Sequence, residues 1–94
     1  MEQVSATVPR VFLPAEIRAL TDQHESVNVT GTTVAEVLEA LDTRYPGVRQ
    51  RLCDGNQLRS GLVVSVGHAI SALGLLQPVS DTDEIHFLPS VGGG

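Results

Sequence analysis

The sequence lacks tryptophan and lysine, and only three of its 94 residues are aromatic, one Tyr and two Phe. Aliphatic side chains must therefore fill the core, and this length allows one domain with a modest core. The longest apolar stretches are far too short to span a membrane, so we expect no membrane association. Residues 1–6 lack the basic and apolar regions of a secretory signal, and we expect a cytoplasmic location.

Cysteine is also scarce, since Cys53 is the single one in the sequence. It excludes an internal disulfide, and without a second thiol or a close histidine pair the sequence predicts no metal site. We interpret Cys53 as an incidental thiol rather than a sulfur relay, because it stands alone in a polar loop. His24, His68 and His86 are too widely spaced to suggest a catalytic triad.

Positive charge is limited to six arginines against eleven acidic residues, which gives a net charge of −5. This balance argues against nucleic-acid binding, because contacts with phosphates require clustered Lys and Arg. It favours steering toward a basic protein partner. The absence of lysine has two interpretations. It reflects a genome-wide preference for arginine, or it removes side-chain amines that would attack a reactive C-terminal acyl group.

Glycine is concentrated at the C-terminus, where Val91 is followed by Gly92, Gly93 and Gly94. These glycines have no side chains to pack, and glycine loses the most conformational freedom on ordering. Fully extended, the four residues carry the terminal carboxylate about 13 Å, far enough to enter another protein's cleft. A frayed terminus is the alternative. We predict a folded domain over residues 1–90 and a flexible tail over residues 91–94.

The N-terminal segment alternates apolar and polar residues. Val4, Ala6 and Val8 predict a strand with one buried face. Pro9 removes a hydrogen-bond donor, so we expect the strand to end or bulge there and residues 11–13 to continue only as an edge or loop segment.

A second alternating pattern predicts the next strand. Residues 15–23 are weakly patterned and are interpreted as a connection, after which Val27 and Val29 alternate with polar residues. The two strands are expected to form a hairpin with an unusually long connection.

The central stretch predicts one main helix. Thr33 and Glu36 have the spacing of a capping box, in which each side chain bonds to the backbone amide of the other residue. Pro46 and Gly47 end the helix. The apolar face that we expect to pack on a sheet consists of Val34, Val37, Leu38, Leu41 and Tyr45.

The region after the helix is mixed. Residues 48–61 fit a short helical turn followed by a turn at Asp54-Gly55. Leu62–Val66 is rich in β-branched residues, as in a central strand. Residues 68–79 show no sustained period and are interpreted as a crossover with at most one short strand or helical turn.

The last strand is predicted over residues 84–88, after a turn at residues 80–83. Ile85 and Phe87 alternate toward the helix. Pro89 prevents further pairing and releases the tail from the sheet.

The element order is strand, strand, helix, strand, crossover and strand. The simplest closed arrangement is an α+β fold, in which a mixed sheet of four to five strands wraps around one main helix. This is the β-grasp, or ubiquitin-like, architecture.

Two segments resemble the small ubiquitin-like sulfur carriers. The ending EIHFLPSVGG at residues 84–93 is similar to that family's acidic residue, apolar strand, proline, valine and paired glycine. The segment YPGVRQRL at residues 45–52 resembles the longer carriers that serve cysteine synthesis in actinobacteria. The family also includes the thiamine-type carrier and the small subunit of molybdopterin synthase. Residues 81–83 read Asp-Thr-Asp where the family commonly has Asp-Gly-Asp, so this turn is expected to avoid positive φ.

The resemblance implies a non-enzymatic carrier. A partner enzyme uses ATP to adenylate the terminal carboxylate, a sulfur donor converts it to a thiocarboxylate, and an accepting enzyme receives the sulfur. The carrier itself binds no cofactor. Because the family usually ends at its second glycine, the third glycine is a departure, and we assign Gly94 as the reactive terminus of this chain.

Two other functions remain open from the sequence. The chain could be a ubiquitin-like modifier that is joined to protein amines through the same glycine, although the lack of lysine argues against polymers. It could also be a binding module with an idle tail. Where the chain meets a partner, we predict a docking surface at Val63, His86, Leu88 and Pro89.

Overall fold

The computed structural model describes residues 8–89, and all structural statements refer to this part of the chain. It contains seven strands, two α-helices and two 3₁₀ helices. Their order is β1 (Arg10–Phe12), a 3₁₀ helix (Ala15–Thr21), β2 (Ser26–Asn28), α1 (Val34–Arg44), α2 (Val48–Leu52), β3 (Cys53–Asp54), β4 (Gln57–Leu58), β5 (Leu62–Val66), β6 (Ala69–Ile70), a second 3₁₀ helix (Gly74–Leu76) and β7 (Glu84–Pro89).

Five strands form one mixed sheet in the order β2-β1-β7-β5-β6. The last strand, β7, lies in the middle, parallel to β1 and antiparallel to β5. β3 and β4 form a separate two-stranded hairpin. A mixed sheet around one main helix is the β-grasp arrangement, and the predicted fold class is confirmed.

The core lies between α1 and the inner face of the sheet. One face of α1 supplies Val34, Val37, Leu38 and Leu41, which are all completely buried. Each strand of the sheet contributes alternate residues to the core. The buried positions therefore repeat with the helical period along α1 and alternate along the strands. The main sheet contacts in this core are Val11, Val27, Val64, Ile85 and Phe87.

The cap of α1 differs in one detail from the predicted capping box. The Thr33 hydroxyl accepts a hydrogen bond from the Glu36 N–H at 3.2 Å, as expected. The Glu36 carboxylate, however, accepts from both the N–H and the hydroxyl of Thr32, at 2.8 and 2.7 Å. Thr32 offers two donors to one carboxylate oxygen, which explains why Glu36 bonds to Thr32 rather than to Thr33.

The prediction for the first strand was wrong. β1 is not an edge or loop segment, because it lies between β2 and β7. Pro9 precedes β1 and is fully buried, and its carbonyl accepts a hydrogen bond from the Val29 N–H at 3.1 Å. Because Pro9 lies before the paired residues Arg10–Phe12, its missing N–H removes no hydrogen bond from β1. Val8 belongs to no strand, and the predicted positions Val4 and Ala6 lie outside the described residues.

Other connections contain more regular structure than the sequence predicted. The stretch interpreted as a connection between the first two strands forms a 3₁₀ helix, with Ile17 and Thr21 buried. The turn at Asp54-Gly55 joins β3 to β4, with Gly55 at φ +66°. The crossover contains both β6 and a 3₁₀ turn. The turn at residues 81–83 has no positive φ, as expected.

Candidate functional site

The candidate site begins at the C-terminal end of β7. Pro89 is the last described residue and lies opposite Leu62 of β5. Because proline has no N–H, pairing cannot be extended through its nitrogen. The predicted reactive residue Gly94 and the predicted tail, residues 91–94, lie outside the described residues. The structure therefore locates the point from which the C-terminal residues depart.

The outer face of β7 carries the predicted docking residues. Ile85 and Phe87 are buried, so His86 and Leu88 alternate to the opposite face. Leu88 is 37% exposed and lies opposite Val63 of β5. The structure thus brings Val63, His86 and Leu88 onto one face, whereas Pro89 lies at the end of the strand and lines a different surface.

Phe12 of β1 completes the centre of this face. The parallel register places Phe12 beside His86, and their rings stack with centroids 4.3 Å apart and planes within 4°. The Arg10 guanidinium lies 6.0 Å from the Phe12 ring centroid, and the Glu84 carboxylate lies 3.7 Å from His86 Nε2. Phe12 was not predicted as part of this face, because only the pairing of β1 with β7 brings it beside His86.

The apolar part of the face extends onto β6. Ile70 is paired with Ser65 of β5 and is 63% exposed. Exposed apolar side chains that share a sheet face with an aromatic stack are suited to binding a partner. We call this surface the outer-face patch, which consists of Phe12, Val63, Ile70, His86 and Leu88.

A groove of about 370 Å³ lies at the end of the sheet where the chain departs, and Pro89 forms part of its wall. Segments that are distant in sequence meet here: the 3₁₀ helix after β1, α2, and the loop between β4 and β5. We call it the tail-side groove. Its apolar lining includes Ile17, Leu52 and Leu62, and its charged lining consists of Glu16, Arg51 and Arg59.

Cys53 is placed in the interior rather than at the site. Its side chain is 4% exposed. Burial raises the pKa of the Cys53 thiol, and the nearby Arg49 and Arg59 offset this only in part. A buried, protonated thiol is a poor nucleophile, which argues against a sulfur-relay role.

Residues 8–89 contain no group of three or more His, Cys, Asp or Glu side chains that could hold a metal ion. His24 and His68 lie in two different loops, whereas His86 lies on β7. In the same range no helix has the length and apolarity needed to cross a membrane. Asp83 has a structural role, since its carboxylate accepts the Ser80 N–H at 2.8 Å in the turn before β7.

A mixed sheet around one helix, with the chain leaving from the central strand, defines a ubiquitin-like β-grasp protein. The chain belongs to the ThiS family, whose model matches residues 11–94. It is similar to the sulfur carrier protein CysO of Mycobacterium tuberculosis (strain ATCC 25618 / H37Rv), with 28% identity over 89 residues, which is 89% of this chain and 96% of the relative.

Solved structures agree with this assignment. A chain of the Amycolatopsis orientalis BexX/CysO complex superimposes with a TM-score of 0.83 and 30% identity, covering 93% of this chain and all of that one. Mycobacterium tuberculosis CysO gives a TM-score of 0.80 and 27% identity, over 88% of this chain and 99% of that one. Small archaeal modifier protein 1 of Methanosarcina acetivorans gives 0.73 at 24% identity, over 92% and 95%, which shows a shared fold.

Proposed function

We propose that this protein is a sulfur carrier whose C-terminal glycine is adenylated and then converted to a thiocarboxylate. The observation that carries the proposal is the match to the ThiS family, which extends through residue 94 and therefore includes the glycines at the end of the chain. The curated relatives are sulfur carrier proteins of nearly the same length. The end of the last strand at the centre of the sheet, beside the partly exposed outer-face patch, supports the same function.

The chemistry takes place at the terminal carboxylate of Gly94. A carboxylate oxygen attacks the α-phosphorus of ATP, pyrophosphate leaves, and an acyl adenylate forms. A sulfur nucleophile such as hydrosulfide then attacks the acyl carbon, and AMP leaves with the bonding electrons. The product is a thiocarboxylate, which delivers its sulfur to an acceptor. A carboxylate is a poor electrophile until its oxygen is converted to a leaving group, so the partner enzyme supplies the activation.

The carrier contributes shape rather than catalysis. Glycines keep the end of the chain narrow, because they place no Cβ beside the reacting carbonyl. The sequence contains no lysine, so no side-chain amine can intercept the acyl adenylate within the carrier. The Cys53 thiol is buried, which limits its access to any acyl group.

The partners follow from these steps. An adenylating enzyme and a sulfur-accepting enzyme must each receive the same C-terminus, and the outer-face patch is the proposed docking surface for them. The solved complex of BexX with CysO supports a protein partner for a carrier of this kind. No ATP site is proposed on the carrier, because the partner binds ATP.

Intact-mass analysis tests the proposal. The purified chain is incubated with an adenylating enzyme of its own genome, MgATP and sulfide. We expect the mass increase for replacement of one oxygen by sulfur, and fragmentation is expected to locate the change at Gly94. A variant that lacks Gly93 and Gly94 is the control and is expected to remain unmodified.

Two outcomes would contradict the proposal. A sulfur added elsewhere in the chain would remove the C-terminus from the mechanism. Recovery of the chain joined by an isopeptide bond to other proteins, with no thiocarboxylate formed, would instead identify a protein modifier.

A further inference from the structure

The tail-side groove has a charge opposite to that of the whole chain. The protein carries a net charge of −5, yet the groove is lined by Arg51 and Arg59 and by a single acid, Glu16. Both arginines are exposed. The groove therefore presents guanidinium groups next to an apolar lining that includes the buried Ile17 and Leu52.

The backbone around both arginines is held in place. Arg51 lies on α2, whose first turn is capped by the Asp42 carboxylate, which accepts the N–H groups of Gly47 and Arg49 at 3.1 Å each. The Arg59 N–H donates to the Leu52 carbonyl at 3.0 Å.

The Arg59 side chain is also fixed. Its Nε donates to the Gln50 carbonyl at 3.0 Å, and within residues 8–89 its two terminal nitrogens make no hydrogen bond. The groove is therefore preorganised for carboxylate groups, which guanidinium binds through paired hydrogen bonds.

The position of the groove links it to the C-terminus. Pro89 lines the groove, and five residues follow it in the sequence. Even fully extended, five residues reach only about 17 Å. An enzyme that takes Gly94 into its active site must therefore place part of its own surface against or close to this groove.

Charge and conformational entropy decide what occupies the groove. The last five residues of this chain offer one valine side chain and one carboxylate, and three of them are glycines. Ordering these residues costs free energy, because their conformational entropy is lost. Burying one valine and forming one exposed ion pair do not compensate for this cost. A segment that is already folded within a partner loses much less on binding.

We propose that the tail-side groove receives an acidic segment of the adenylating enzyme, which inserts an aliphatic side chain and pairs its carboxylates with Arg51 and Arg59. This inference rests on the proposed function, because it requires an enzyme that takes the C-terminus. It adds a second contact surface, distinct from the outer-face patch, at which carrier and enzyme recognise each other by charge.

Charge reversal at Arg51 tests the proposal. In ATP–pyrophosphate exchange with the adenylating enzyme, we expect Arg51→Glu to raise the KM for the carrier about tenfold or more, with little change in kcat, because the pair acts in binding. The KM for Arg51→Lys is expected to lie between the values for the wild type and Arg51→Glu, since lysine keeps the positive charge but lacks the planar guanidinium group. The matched control is Arg44→Glu, an equal change of charge at an exposed position that does not line the groove.

The kinetic outcomes separate this inference from the proposed function. An unchanged KM for Arg51→Glu, or an equal rise for Arg44→Glu, would overturn the inference while adenylation of the wild type still stands. Failure of the wild-type chain to be adenylated would overturn both.

Photocrosslinking from a benzophenone residue placed at Ser60, in the lining of the groove, locates the occupant directly. We expect the crosslink to lie in an acidic segment of the adenylating enzyme. A crosslink to residues 90–94 of the carrier itself would show that its own C-terminus fills the groove, and would also overturn the inference.

Discussion

At the scale of single residues, hydrogen bonds at the start of α1 shift the pKa of Glu36. Hydrogen bonds from the backbone N–H and hydroxyl of Thr32 lower the pKa of Glu36 below its ordinary value of 4.5. The ionised carboxylate is therefore favoured in the folded state over the unfolded state. This contribution to stability is present above pH 4.5 and is lost as the pH falls through the lowered folded pKa.

We predict that Glu36→Gln has a lower Tm than the wild type at neutral pH. The gap is expected to shrink as the pH falls from about 7 to about 3, because protonation removes the advantage of the wild type. Thermal unfolding followed by circular dichroism measures both values. Glu16→Gln serves as the control, since Glu16 is exposed and makes no side-chain hydrogen bond within the described residues. A gap that stays constant in acid would contradict this assignment.

Contacts between residues were the hardest feature to predict from the sequence. The sequence placed His86 on the outer face, because alternation alone requires it. Neither the stack of Phe12 on His86 nor the meeting of Arg51 with Arg59 at one groove follows from any local pattern. Each pair joins segments that only the folded chain brings together.

The individual elements show where local signals are sufficient and where they are not. α1 was predicted with its cap and its buried face, because capping and helical period are both local signals. The position of the first strand was predicted wrongly, because the missing N–H of Pro9 suggested the end of a strand. In the structure Pro9 lies just before the paired residues of β1, so the strand loses no hydrogen bond, and the Pro9 carbonyl still accepts one from Val29.

The outer face of β7 gives the prediction that belongs to a single element. We expect Leu88→Asp to raise the KM for the carrier in adenylation about tenfold, because a charge within the proposed apolar docking surface loses its hydration on binding. Leu76→Asp is the matched control, since Leu76 is 76% exposed and lies outside the outer-face patch. The same exchange assay measures both variants.

Equal effects of the two leucine substitutions would contradict a specific role for the outer-face patch. Circular dichroism of each variant would show whether the fold is retained. Leu88 is itself partly exposed, so we expect the substitution to leave the core intact.

In the whole molecule, element order was the most informative sequence feature. One helix between strands, with a proline-ended last strand, was sufficient to predict the β-grasp arrangement. The small hairpin β3–β4 and the 3₁₀ helix after β1 were not predicted, because their segments are too short to show a period.

Burial in the central strand gives the prediction for global stability. Ile85 is completely buried between β1, β5 and α1, so Ile85→Val is expected to lower the free energy of unfolding by about 0.5–1.5 kcal/mol. Ile70→Val makes the same chemical change on β6 at a site that is 63% exposed, and we expect a change within about 0.5 kcal/mol. Urea titration of both variants checks the difference. Similar losses would mean that β7 is not the centre of a cooperative core.

The parallel pairing of β1 with β7 has a mechanical consequence. A force applied at Pro89 along the axis of β7 tends to slide this strand past its two neighbours. The hydrogen bonds from β7 to β1 and β5 run across that axis, so they are loaded together in shear instead of being opened one at a time. Under the proposed function, a partner enzyme that pulls on the chain end in this direction loads β7 as a unit and does not peel this last strand from the sheet.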